Sequence, residues 1–337
     1  MRKAFLMLVV LFCIGFSLGP VAVIRGGEEL LSLSGTVWVT NRTQNTIARY
    51  DAATGVVNRI APVERAPIGI LVPPGTGKVY VSNEASNTVS VLSAASMAHL
   101  KTTMTGPRPH HMMYDPIGRF LYVAEFESNQ VGVIDTQTDT RIAGLPASQS
   151  SAARTHASWP TRDGVLYAVS EVSNELAAID VRARSLSWTL VVGNRPSEIL
   201  VTPDGRTAYV SIRNENKIKV VDLQRRAVTG EAAVGVQPDT LQLTSDRRTL
   251  IVGLRGVPAQ LAFVDTTTLQ VTWVDVGGTT TGHQWLSEDS RFTFVAVEGP
   301  GDLGSVAVVD NSRRKLITAY PYPGGGRPHG TFYEVRR

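Results

Sequence analysis

Seven large apolar residues, Trp38, Tyr80, Tyr122, Tyr167, Tyr209, Ile251 and Phe294, punctuate the chain at intervals of 42, 42, 45, 42, 42 and 43 residues. A period that steady over most of a 337-residue chain means a repeat architecture, in which each unit buries its apolar faces against its neighbours. The units fill residues 37–337 and leave no room for an appended module, so one domain is expected.

Inside each unit the apolar runs are short, rich in valine, isoleucine and tyrosine, and separated by glycine, proline, asparagine and aspartate, which is the signature of strands joined by tight turns. In the third unit the pattern predicts strands over 110–115, 120–124 and 130–134 and a fourth from 140 to 143. The turns recur with the strands. Gly75, Gly118, Gly164 and Gly205 follow the first strand of their units, and Asn45, Asn87, Asn129, Asn174 and Asn216 stand seven residues past the repeat centres. An aspartate closes the third strand in every unit but the second, where Ser93 replaces it. Four antiparallel strands per unit, seven times over, predict an all-β, seven-bladed β-propeller of four-stranded antiparallel blades. The chain enters at a second strand and ends in a first-strand motif, so residues 328–334 are expected to pair with 36–40 and close the ring.

The N-terminus reads Met1-Arg2-Lys3 followed by an apolar run to Ile24. Residues 1–24 are read as a signal peptide or an uncleaved signal anchor and 25–36 as a linker, which places the propeller outside the cytoplasm, in the periplasm or secreted, with the membrane reached only through that anchor. The single cysteine, Cys13, lies inside the run, so the exported domain carries no thiol for a disulfide, a thiolate-bound metal or covalently attached c-type haem. A net charge of +4 without a basic helix or lysine run excludes nucleic acid as a partner.

Chemistry concentrates at the opening of each unit's first strand, 11 or 12 residues before the centre, where Ile68, His110, His156, Ser197, Asp239, His283 and the C-terminal His329 fall. With six histidines in the chain, chance would put about 0.1 in seven such positions, and four are there. His111 is expected to point away, because adjacent strand residues face opposite sides. Just upstream stand Arg65, Arg108, Arg154, Arg195 and Arg327, and beyond the centres come Glu84, Glu125, Glu171, Arg213, Arg255 and Glu298. One mouth of the channel should therefore be charged, mixed in sign and rich in imidazole.

Val37-Trp38-Val39-Thr40-Asn41 and Val79-Tyr80-Val81-Ser82-Asn83 resemble the YVTN repeats of exported propellers, a family that shares a fold more than an activity. Pro109-His110-His111, followed by Asp115-Pro116-Ile117-Gly118-Arg119-Phe120-Leu121-Tyr122-Val123, is similar to one repeat of the seven-bladed lactonases of phosphogluconolactonase type. That likeness implies a mouth of arginine, histidine and carboxylate serving sugar or acid lactones, with His110 and Glu125 as candidate catalytic residues. Three readings stay open. The histidines line the channel or brace a loop, as a Gly-His pair does in WD-repeat propellers, for which Gly282-His283 and Asp302 are the candidates. They bind copper or another transition metal through His110, His156, His283, His329 and Asp239, an arrangement similar in architecture to nitrous oxide reductase. Or Arg108, Arg154, Arg195 and Arg327 with the four histidines hold a small anionic ligand. The favoured function is a binding or scaffold module with a small anionic ligand or a partner protein at this mouth, and the alternative is a lactonase-like or copper-dependent enzyme.

Overall fold

The computed structural model describes residues 28–152 and 154–335. Seven four-stranded antiparallel sheets stand around a central channel. The first blade takes three strands from Gly35–Asn41, Thr46–Asp51 and Val57–Pro62; the other six are built in chain order from residues 67–104, 109–146, 155–191, 196–233, 238–275 and 280–321. The first blade's innermost strand is Pro328–Val335, which pairs with Gly35–Asn41 and sets Tyr333 opposite Val37 and Phe332 opposite Trp38. Ring closure is the one expected, and it leaves neither terminal strand with an open inner edge.

The repeat centres lie on the second strands and are buried, because each sheet is covered on both faces by its neighbours. Helix among the described residues is limited to three short 3-10 turns, Glu28–Ser32, Arg213–Glu215 and Pro300–Asp302. Leu30, in the first of these, packs with Tyr50, Phe292 and Tyr320, so part of the expected linker is joined to the propeller. The run over 1–24, with Cys13, lies outside the described residues, and among these no helix is long and apolar enough to cross a membrane.

The turn chemistry explains how the blades are phased. Gly75, Gly118, Gly164 and Gly205 all take positive φ, between 69° and 84°. Asn45, Asn87, Asn174 and Asn216 are left-handed as expected, with φ between 55° and 62°. Each also does something the sequence did not reveal. Its side-chain Oδ1 accepts the backbone N–H of Ala66, Arg108, Arg195 or Gln237, at 2.9–3.0 Å, at the head of the next blade's inner strand. Those four residues are left-handed in turn. Asn129 departs: it stays out of the left-handed region and its Nδ2 donates to the Ser148 carbonyl. It precedes the one long spacing, and the extra residues lie in the connection to the fourth blade.

Candidate functional site

Every innermost strand breaks register with its neighbour near its first residues. In the third blade Pro109 faces Glu125 and Met112 faces Val123, so His110 and His111 together oppose Ala124. The same two-residue step falls at Ile68-Gly69, Asp239-Thr240, Gly282-His283 and His329-Gly330, and a single extra residue at His156 and Ser197. A bulge of this kind brings toward one side successive residues that a regular strand would alternate. The channel is thereby given two layers. His110, His156 and His329 border the mouth, while His111, Glu198, Thr240 and His283 border a smaller cavity beneath it.

Two expectations are corrected by this register. His111 turns into the channel because of the bulge. His283 belongs to the lower layer, since Trp285 pairs with Phe294 as Met113 pairs with Tyr122, which makes Gly282 the equivalent of His110 and His283 the equivalent of His111. Gly282 fits its place because a Cβ there would fall 2.4 Å from the His329 carbonyl oxygen.

The five imidazoles form one continuous cluster. Ring centroids are 4.3 Å apart for His110 and His156, 4.9 Å for His110 and His111, 4.7 Å for His111 and His156, 4.2 Å for His111 and His283, and 5.0 Å for His283 and His329. The sixth histidine, His99, sits on an outer strand and bonds Thr102. The His156 Nδ1–H donates to the Ser197 carbonyl, leaving Nε2 to accept from Arg213 Nη2 at 3.1 Å. His111 Nδ1 bonds Glu198 Oε2 at 2.6 Å. By contrast His110 Nδ1, His111 Nε2, His283 Nε2 and His329 Nδ1 are buried without a hydrogen-bond partner among the described residues. An unpaired buried nitrogen costs about 1–3 kcal/mol, so four in one cluster is a departure from ordinary packing.

Above the cluster is a crown of alternating charge. Glu84 is clamped between Arg42 (2.5 Å) and Arg108, Glu171 between Arg195 (3.1 Å) and Arg213 (2.6 Å), and Asp239 between Arg213 (2.5 Å) and Arg255 (3.3 Å). The three carboxylates are buried, whereas Arg108 and Arg195 keep 40% and 46% of their side chains exposed. The mouth they enclose is a cavity of about 240 Å³ bordered by Arg42, Arg108, Arg195, Arg213 and Arg255, with Phe126 and the imidazoles. Five guanidinium groups stand against the three buried carboxylates and the exposed Glu127, which pairs with Arg108 at 2.9 Å, a balance that leaves the mouth electropositive by one charge.

Burial, then Arg213 and the neighbouring rings, holds His156 neutral, with its pKa well below the ordinary imidazole value. Burial with His111 does the same to His110 and to His283, and burial with His283 to His329. Burial pushes the Asp239 carboxyl upward, but Arg213 and Arg255 outweigh it and keep that group ionised far below the usual carboxylate range.

Of the residues expected here, His110, His156, His329, Arg108 and Arg195 border the mouth. Arg108 and Arg195 are the two arginines whose backbones are braced by Asn87 and Asn174. Arg154 and Arg327 are not among its lining residues: Arg154 lies exposed over the Phe126 ring, and Arg327 bonds Asp302 at 3.1 Å. Asp302 therefore serves Arg327 and makes no brace with His283. Asp239 is committed to two arginines. Glu125 is also removed from the mouth, its carboxylate buried against Arg141 and the Gly106 N–H. The equivalent position is four residues past each centre, which runs Arg42, Glu84, Phe126, Glu171, Arg213, Arg255, Glu298; holding that offset strictly would have found Arg42 and Phe126.

A family model described as a seven-bladed β-propeller lactonase matches residues 99–275. The lactonase likeness carried by one unit in the sequence thus extends from the outer strand of the second blade through the sixth. Among solved structures, the periplasmic gluconolactonase PpgL of Pseudomonas aeruginosa superimposes with a TM-score of 0.72 at 19% identity, over 90% of this chain and 99% of that one. Hydrazine synthase of Kuenenia stuttgartiensis gives 0.69 at 19% identity, over 82% and 92%. A functionally unknown protein from Desulfotomaculum acetoxidans gives 0.75 at 12% identity, over 90% and 100%. At these identities the structures share the fold alone. No curated protein matches the sequence.

Proposed function

The chain belongs to the seven-bladed β-propeller lactonase family, and on that premise we propose that its mouth binds a small lactone carrying a carboxylate or phosphate and opens the ring by hydrolysis. The observation that carries this reading is the crown of five arginines over neutral imidazoles. Arg195, half-exposed and held through Nε by Glu171, suits the anionic substituent, and Arg108, its backbone likewise fixed, would join it by exchanging the exposed Glu127 for the ligand, since arginine pairs such groups bidentately. His110, like His329, lines the cavity with no side-chain hydrogen bond among the described residues, and it is His110 that stands beside Phe126 and His156. In the proposed reaction it takes a proton from water as the oxygen adds to the lactone carbonyl. The resulting oxyanion faces the guanidinium groups, the ring C–O bond breaks, and the imidazolium returns the proton to the departing alkoxide.

The test is base uptake at constant pH with 6-phosphoglucono-δ-lactone and glucono-δ-lactone, corrected for spontaneous opening. His110→Gln should lower kcat on the order of 10²- to 10⁴-fold, and Arg108→Ala with Arg195→Ala should raise KM for the phosphorylated substrate. No acceleration of any anionic lactone would defeat the hydrolytic reading. A binding role without turnover is favoured by one observation: both ring nitrogens of His156 are already engaged. Saturable binding of the ring-opened acid with no acceleration would select it. We further propose that the protein works outside the cytoplasm, supported by the run over 1–24 and by the likeness to a periplasmic enzyme. Full-length protein in the cytosolic fraction of a native host would contradict that placement.

A further inference from the structure

We infer that the histidine cluster below the mouth is a transition-metal centre of the zinc and copper class, held by one ring nitrogen each from His110, His111 and His156. The three donor atoms lie within 4.8 Å of one another. A tetrahedral ion with nitrogen bonds of ordinary length needs donors about 3.3 Å apart, so the widest pair must close by about 1.5 Å. All three rings stand on bulged backbone at the open end of their strands, where side chains are least constrained by ladder pairing.

The second observation is the pattern of hydrogen bonds behind the rings. A metal-bound imidazole characteristically gives its other N–H to a carboxylate or a backbone carbonyl, which fixes the tautomer and aims the free lone pair. His111 has Glu198 in that place, and His156 has the Ser197 carbonyl. With Nδ1–H donated to Glu198, His111 presents a bare Nε2 lone pair to the cluster, and that nitrogen has no partner among the described residues. His110 Nδ1 is likewise buried and unpartnered. Nitrogen donors without thiolate or a carboxylate cage select zinc or copper over magnesium or calcium. His283, whose unpartnered Nε2 belongs to the ring nearest His111, is the further imidazole bordering the site.

The arginines are the opposing influence, and the geometry shows how they are accommodated. Arg213 contacts His156 Nε2, but it is also held by Glu171 and Asp239. It can release the imidazole while keeping both carboxylates. Asp239, Glu171 and Glu198 then surround the site with three negative charges. The centre lies between the two channel cavities, so an ion there leaves the mouth open, but His110 bound through one nitrogen carries its proton on the other and no longer serves as a base, so the loaded centre and the His110-based hydrolysis exclude one another.

The experiment uses the untagged full chain, stripped with chelator and titrated with zinc(II) and, separately, copper(II), followed by calorimetry and by metal analysis after desalting. One ion per chain should be retained. His111→Ala, which leaves the mouth lining untouched, should weaken binding at least 100-fold. Should that variant misfold, Glu198→Gln keeps an acceptor without the charge and should weaken binding on the order of 10- to 100-fold. His99→Ala should change nothing, which separates the centre from surface binding. Failure to retain stoichiometric metal, or retention unchanged in both His111→Ala and Glu198→Gln, overturns the inference. Because metal content is measured without substrate, the result stands whether or not the protein opens lactones.

Discussion

Acidification should destabilise this propeller at pH values where most proteins of its size are still near their optimum, because it buries imidazoles in the neutral form. His156 and His329 are 1% and 2% exposed, and both have pKa values well below the ordinary one. In the unfolded chain each returns to about 6.5. The folded state thus binds fewer protons than the unfolded state below that value, so stability is complete above about pH 6.5 and is lost as pH falls toward the folded-state pKa. Between pH 7 and pH 5 an imidazole that stays neutral when folded forfeits about 2 kcal/mol, and these two together about 4 kcal/mol. His110 and His283, which are less fully enclosed, add to that in the same direction. Carboxylates contribute little in this window, since their unfolded values lie near 4. Urea unfolding at the two pH values, with chelator present to exclude metal effects, measures the difference directly. His156→Gln should reduce the loss by about 2 kcal/mol, one proton's worth. Equal stability at pH 7 and pH 5 would mean that the cluster is hydrated and titrates normally, and the account of a desolvated imidazole layer would be wrong.

Removing residues 328–337 deletes the first blade's inner strand together with the buried rings of Phe332 and Tyr333, and calorimetry should show the melting temperature lowered by about 10 °C or more. Glu171→Gln leaves two guanidinium groups beside a 4% exposed site without their shared carboxylate, a loss of about 3–5 kcal/mol in denaturant unfolding. Asn87→Ala removes the brace on Arg108 and should cost about 1–2 kcal/mol, whereas Asn129→Ala, which releases a bond inside its own connection, should leave the binding affinity of the mouth unchanged.

The fold was legible because its signals are local and repeated. A period near 42 residues, glycine where φ must be positive and aspartate after the third strand in six of the seven units pointed independently to the same blade. The site was legible only in outline. That His110, His156 and His329 meet at one mouth follows from topology, which the period fixes. That His111 joins them does not, because strand alternation predicts the opposite and the bulge that reverses it depends on how inner strands crowd around the axis. His283 was misplaced by one residue because an entry 11 residues before the centre is the equivalent of His110 only where the turn is one residue shorter, as in the blade of His156, whereas the blade of His283 keeps the same pairing distance as that of His110. Arg154 and Arg327 resembled Arg108 and Arg195 in sequence, yet their guanidinium groups are drawn elsewhere, Arg154 over the Phe126 ring and Arg327 to Asp302, even though the Arg327 N–H also meets an asparagine Oδ1, that of Asn41 at 3.2 Å.

The claim that the mouth is an anion site is tested most directly by calorimetric titration of the chain with 6-phosphogluconate. The account predicts one site per chain, weakened by salt, and at least about 100-fold weaker in Arg108→Ala with Arg195→Ala, since each charge-assisted hydrogen bond contributes about 1.5–3 kcal/mol. Equal affinity in the wild type and the double variant, with both folded, would contradict it.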